Sequence, residues 1–116
     1  MKLTNSEMLA SEEVLSMANE KGKLGYACAR NLRKIRDCLT EFYNVRQDLF
    51  EKYGEENENS LVVPEEKRED FVKELNEFLA IEHDVDVFQV DEEVFCSGNF
   101  TTSQMYTLDW MVKKEV

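Results

Sequence analysis

The densest set of side chains able to hold a metal or carry a proton is Glu82-His83-Asp84-Val85-Asp86, followed by Asp91-Glu92-Glu93. A calcium loop needs oxygen ligands at alternate positions, a central glycine and a terminal bidentate glutamate, and that spacing is absent. An iron facial triad needs two histidines, whereas His83 stands alone in the sequence. The acids therefore read as solvated charges on a strand edge, where they also discourage edge-to-edge pairing. Glu82, Asp84, Asp86, Asp91, Glu92 and Glu93 are accordingly candidates for contacting a partner rather than for catalysis, and no metal or cofactor is expected.

Nucleophilic chemistry has as little local support. Cys96 with His83 would supply a thiol and a base, but single residues on separate segments carry no signature. Cys28 falls on an apolar seam and reads as a small core residue. Cys28, Cys38 and Cys96 are odd in number and widely spaced, which argues against both a disulfide framework and a thiolate zinc site. The four glycines hold no phosphate-loop spacing, so nucleotide binding has no motif behind it. No catalytic residue is assigned, and the chain is expected not to be an enzyme.

Charge is the stronger signal. Residues 1–53 hold nine Lys/Arg against eight Asp/Glu, while residues 54–116 hold five against seventeen, so nearly all of the net −11 lies in the second half. Such a surface repels nucleic acid and membrane and attracts basic protein surfaces. In the one basic cluster, Lys21, Lys23, Arg30, Arg33, Lys34 and Arg36, the residues Arg30, Arg33 and Lys34 have a spacing that can follow a phosphate backbone. With no aromatic platform interleaved, it reads instead as pairing with the acidic half, and direct nucleic-acid binding is not expected.

The elements that must position these groups follow from periodicity. Thr4 and Glu7 form a capping box for a first helix over about 5–19, which Lys21-Gly22-Lys23 ends. Cys28, Leu32, Ile35, Leu39, Phe42, Arg46, Leu49 and Tyr53 then alternate in steps of four and three. This heptad seam predicts a helix roughly 40 Å long at about 1.5 Å per residue, stopped by Gly54 in a left-handed cap. The seam serves either the chain's own core or contact between copies. Arg46 interrupts it, its stem lying along the apolar surface with the guanidinium reaching a carboxylate, or else pairing with an acid of a partner.

Residues 55–63 read as an exposed acidic loop. Pro64 and the acids after it start a third helix to about Ala80, with Phe71, Val72, Leu75, Phe78 and Leu79 as its buried face. Val85–Val90 and Val94–Cys96 read as short strands, and Ser97-Gly98-Asn99 as a turn. Thr101 or Thr102 caps a last helix carrying Met105, Leu108, Met111 and Val112, with Trp110 partly exposed. The fold class is α+β, predominantly α: a long helix packed antiparallel against a second, a short β element and a C-terminal helix. One domain is expected, made of a helical half over 1–54, the loop over 55–63 and an acidic α/β half over 64–116. The start of the chain has no signal-peptide pattern and no run long enough to span a membrane, so a cytoplasmic location is expected.

Three stretches resemble a family of small uncharacterised proteins encoded by tailed phages and prophages of Gram-positive bacteria. They are Tyr26-Ala27-Cys28-Ala29-Arg30-Asn31-Leu32-Arg33-Lys34-Ile35, Lys52-Tyr53-Gly54-Glu55, and Glu74 through Val85 (ELNEFLAIEHDV). The closing Leu108-Asp109-Trp110-Met111-Val112 also looks like that family's ending, so the likeness covers about residues 24–113. The resemblance implies a phage origin and the cytoplasm of a bacterial host, and transfers no functional residue. With the charge distribution it implies a non-enzymatic accessory protein that binds a host protein with a basic surface, as an acidic nucleic-acid mimic inhibiting a defence or nucleic-acid-binding complex. The alternative is a structural or assembly protein that oligomerises, or docks onto a phage protein, through its long heptad helix.

Overall fold

The computed structural model describes residues 1–114. Strand β1 (Lys2–Thr4) leads into helix α1 (Asn5–Met17), and helix α2 (Gly22–Tyr53) follows. Strands β2 (Glu55–Asn57) and β3 (Ser60–Val62) precede helix α3 (Glu65–Leu79), strand β4 (Glu82–Asp84), and the short helices α4 (Glu92–Cys96) and α5 (Thr102–Thr107). A 3-10 turn, Asp109–Met111, closes the described chain.

The capping box forms as its residues require: Thr4 Oγ1 accepts from the Glu7 amide and Glu7 Oε1 from the Thr4 amide, each at 3.0 Å. At 32 residues, α2 accounts for the 49 Å long axis of the molecule. Its seam points inward: Cys28, Ile35, Leu39 and Phe42 join Met8 and Leu15 of α1, Leu3 of β1 and Leu108 and Met111 in one core. Residues that dictate the seam are thus consumed within the chain, which answers whether it is an internal or an intermolecular surface. Helix α3 returns along α2, with Phe71 against Phe50 and Tyr53 at the far end and Leu75, Phe78 and Leu79 packed on the main core.

Five expectations need correction. Gly54 caps α2 in an extended conformation (φ −82°, ψ 154°), not a left-handed one. Glycine is needed there because a Cβ would collide with the Phe50 carbonyl, whose oxygen accepts the Gly54 amide at 2.7 Å. Residues 55–63 are not a loop. Strands β2 and β3 pair antiparallel, Glu55 opposite Val62 and Asn57 opposite Ser60, through a two-residue turn in which Glu58 (φ 52°) and Asn59 (φ 71°) are both left-handed. That is the turn geometry whose twist matches a hairpin, reached without the usual glycine.

The strand expected at Val85–Val90 lies earlier, at Glu82–Asp84, because its partner is β1: Leu3 opposes His83 and Thr4 opposes Glu82. Beyond Val85, whose amide donates to the Met1 carbonyl, no strand lies alongside among the described residues and side chains of α2 replace one. Lys34 Nζ donates to the Asp86 carbonyl, and Asn31 binds both backbone groups of Phe88. Val90 then makes a single parallel bridge to Val112.

Val94–Cys96 is helical, not extended, since Asp91-Glu92-Glu93 suits a helix start and one turn suffices to bury Phe95. The last helix, capped by Thr101 with Gln104, stops at Thr107, so Leu108, Met111 and Val112 reach the core from the 3-10 turn and the extended chain after it. Trp110 is half-buried, donating from Nε1 to the buried Ser11 Oγ at 3.0 Å. Among the described residues no helix is long and apolar enough to cross a membrane.

Candidate functional site

The six acids proposed from sequence are all exposed but do not form one surface. Strand alternation divides the first run: Glu82 and Asp84 share one face of β4 while His83 turns to the other. There His83 Nε2 meets Asn5 Oδ1 at 3.0 Å. Because Asn5 Nδ2 already donates to the Phe78 carbonyl at 2.8 Å, Oδ1 must accept and His83 Nε2 must carry the proton. His83 is therefore a strut between β1, α1 and the α3–β4 turn.

Asp84 lies 3.2 Å from the Met1 amino group, Asp86 3.6 Å from Lys34 Nζ and Asp91 3.9 Å from Lys113 Nζ. Glu82, Glu92 and Glu93 have no ion pair among the described residues. Asp91, Glu92 and Glu93 edge an open groove of about 1350 Å³ floored in part by Leu3, Met105 and Trp110. Lys2, Lys113 and Lys114 edge it too, so its charge is mixed.

Carboxylates concentrate instead at the other end of the long axis. Residues 48–70, which run from the last turns of α2 through the hairpin into α3, hold nine Asp/Glu and three Lys/Arg. All nine acids are exposed. Two of the three cations are engaged locally, Lys67 with Glu55 at 3.4 Å and Lys52 with Glu74 at 2.9 Å. The Lys52 pair acts on both groups: its hydrogen bond holds the Glu74 carboxyl below its usual range and raises Lys52. The signal for this end was present in the sequence as the Glu55–Asn59 run, but its reading as a loop hid that the hairpin fixes Glu55, Glu56 and Glu58 in place.

The basic cluster also separates. Arg36 leaves it for Glu12 of α1 (4.0 Å), and Lys34 pairs with Asp86 as expected for contact with the acidic half. Lys23, Tyr26, Arg30 and Arg33, spaced by three and four, stay together on one exposed face of α2. The aromatic element that the sequence reading missed is here. Tyr26 packs edge-on against Phe88 with ring centroids 5.3 Å apart, and the Arg30 guanidinium lies 5.6 Å from the Tyr26 centroid. Tyr26 was visible between Lys23 and Arg30, whereas Phe88 arrives from a distant segment.

Arg46 lies along the apolar surface, but reaches rings rather than a carboxylate, 4.8 Å from the Tyr43 centroid and 5.9 Å from that of Phe42. Tyr43 donates its hydroxyl to Glu12 Oε2 at 2.7 Å. Burial first, then that hydrogen bond and the Glu12 charge, push the phenol up to about 12 against the opposing charges of Arg46 and Arg36. Burial also raises the Cys28 thiol to about 11, with the Glu20 charge adding to it. Cys38 is half-buried and Cys96 exposed. Among the described residues no group of three or more His, Cys, Asp or Glu side chains is placed to hold a metal ion.

No family model, curated protein or solved structure matches the chain.

Proposed function

We propose that the protein acts without catalysis, by binding another protein through its acidic second half, and that it competes there with nucleic acid for a basic surface. The observation carrying this reading is the excess of nine exposed carboxylates over three cations between residues 48 and 70, displayed on a hairpin and two helix ends. Carboxylates held in a fixed array offer a basic cleft the charge that phosphates would, raising the encounter rate and opposing nucleic acid at the same site. The resemblance to phage-encoded proteins supplies a setting, in which the partner is a host defence or nucleic-acid-binding complex in the bacterial cytoplasm.

Glu82, Glu92 and Glu93 lie apart from this surface, and the lysines beside the groove that Glu92 and Glu93 edge make the hairpin end the better candidate. Assembly through the heptad seam gains nothing from the fold, because the residues that would join copies are occupied in the core. The test is recovery of partners from host lysate at low and moderate salt, with wild-type protein and with Glu55, Glu56 and Glu58 changed together to lysine. Recovery of a nucleic-acid-binding complex that is lost with salt, with added DNA and with the triple variant is the expected result. A partner retained by the triple variant, and by Glu82, Glu92 and Glu93 changed to lysine, overturns it.

A further inference from the structure

We propose a second, unrelated site: a nucleoside phosphate binds in the cavity beside the amino-terminal turns of α2, its base against Tyr26 and Phe88 and its phosphate on Lys23 and Arg30. The cavity measures about 360 Å³ and is lined by Lys23, Tyr26, Phe88, Val90, Val94 and Lys113 among others. That volume lies in the range of small-molecule sites.

Three observations converge on this ligand class. The first is how Phe88 is displayed. Phe88 is 38% exposed, yet its backbone is held at both ends by Asn31, which has no exposed surface. Asn31 Nδ2 donates to the Phe88 carbonyl at 2.9 Å, and Asn31 Oδ1 accepts from its amide at 2.7 Å. A buried amide spent on fixing a surface phenylalanine builds a rigid aromatic wall, and Tyr26, 53% exposed, stands against it. Aromatic walls of this kind take planar rings sequence-tolerantly.

The second is the charge. Lys23, Arg30 and Arg33 have no ion pair among the described residues and follow one helix face past the cavity. Together with Lys113 they outnumber Asp91, the one carboxylate in the cavity lining, a setting suited to phosphate. The third is the acceptor pair at the cavity wall. Gln89 Nε2 is engaged by the Trp110 carbonyl at 2.9 Å, which orients the amide and leaves Gln89 Oε1 to accept. Asp91 lines the same cavity, its Oδ1 3.9 Å from Lys113 Nζ and its Oδ2 left to accept. Two acceptors favour a base carrying an exocyclic amino group, such as adenine or cytosine, over uracil.

The experiment is amide NMR titration of the full chain with AMP, UMP, inorganic phosphate and a short oligoadenylate, on wild type and on Phe88→Ala, Lys23→Glu and Arg33→Glu proteins whose unfolding curves establish that they are folded. AMP is expected to move resonances of Lys23, Tyr26, Asn31 and Phe88, more strongly than UMP. Phe88→Ala and Lys23→Glu are each expected to weaken binding by roughly ten-fold or more, the scale of losing one stacking or charged contact. An oligoadenylate that binds no tighter per site than AMP assigns a free nucleotide. Tighter binding that Arg33→Glu reduces assigns the end of a single strand, its next phosphate on Arg33. Absence of shifts at millimolar AMP overturns the proposal, as does inorganic phosphate reproducing the AMP shifts with Phe88→Ala leaving them unchanged.

Discussion

Asn31 and Phe88, held together by two hydrogen bonds of 2.9 and 2.7 Å, join the amino-terminal third of the long helix to a segment with no strand beside it among the described residues. Asn31→Leu keeps the volume and removes both partners, so the Phe88 amide and carbonyl are left without protein ligands. Each orphaned group costs about 1–3 kcal/mol, less where water reaches it, so the expected loss is about 2–3 kcal/mol in urea unfolding. A loss below about 0.5 kcal/mol would mean that the segment finds other partners at little cost.

The hairpin makes the opposite kind of prediction, a gain. Glu58 and Asn59 both hold left-handed backbone, which costs an L-residue with a side chain roughly 1–2 kcal/mol relative to glycine. Glu58→Asn with Asn59→Gly places the residues this turn prefers and should slow amide exchange across β2 and β3, a local gain of about 1 kcal/mol. Glu58→Pro, whose ring locks φ near −65°, should abolish the hairpin signals while leaving α1 and α2 protected. Equal exchange in all three proteins would exclude this turn.

These two sites mark the division between what the sequence made legible and what it did not. The heptad seam, the Thr4–Glu7 box and the Pro64 start are local patterns, and each was readable because one helix turn contains both the signal and its consequence. The pairing of β1 with β4 was not readable, since three-residue strands carry too little periodicity and their partner lies at the far end of the chain. For the same reason Tyr26 looked like an isolated aromatic until Phe88 was brought to it. The hairpin was hidden by composition: all six strand residues are exposed, so no alternation of apolar and polar residues betrays it.

Cysteine reactivity separates the three thiols. Burial and the Glu20 charge push Cys28 up to about 11, so near neutral pH almost none of it is the reactive thiolate, and its packing in the core blocks access as well. Cys38 is raised by burial and then by Asp37, to a lesser degree. Alkylation of native protein followed by peptide mass spectrometry should label Cys96 first, Cys38 slowly and Cys28 only on unfolding. Labelling of Cys28 at the Cys96 rate would contradict the packing of α2 against the core.

Tyr43 supplies a pH dependence whose sign can be worked through. Burial and Glu12 raise the phenol from 10.0 to about 12 in the folded chain, so the fold favours the protonated form. Its contribution to stability is complete below 10.0 and disappears as the pH climbs to about 12. Cys28, raised from 9.0 to about 11, has the same sign but starts its loss lower. Urea midpoints followed across this alkaline range should therefore fall in wild type. In Tyr43→Phe the midpoint should start lower, for want of the Glu12 hydrogen bond, and then decline less steeply, keeping the parts of Cys28, Cys38 and Lys52. Parallel slopes for the two proteins would show that Glu12 and Tyr43 do not share a proton contact in solution.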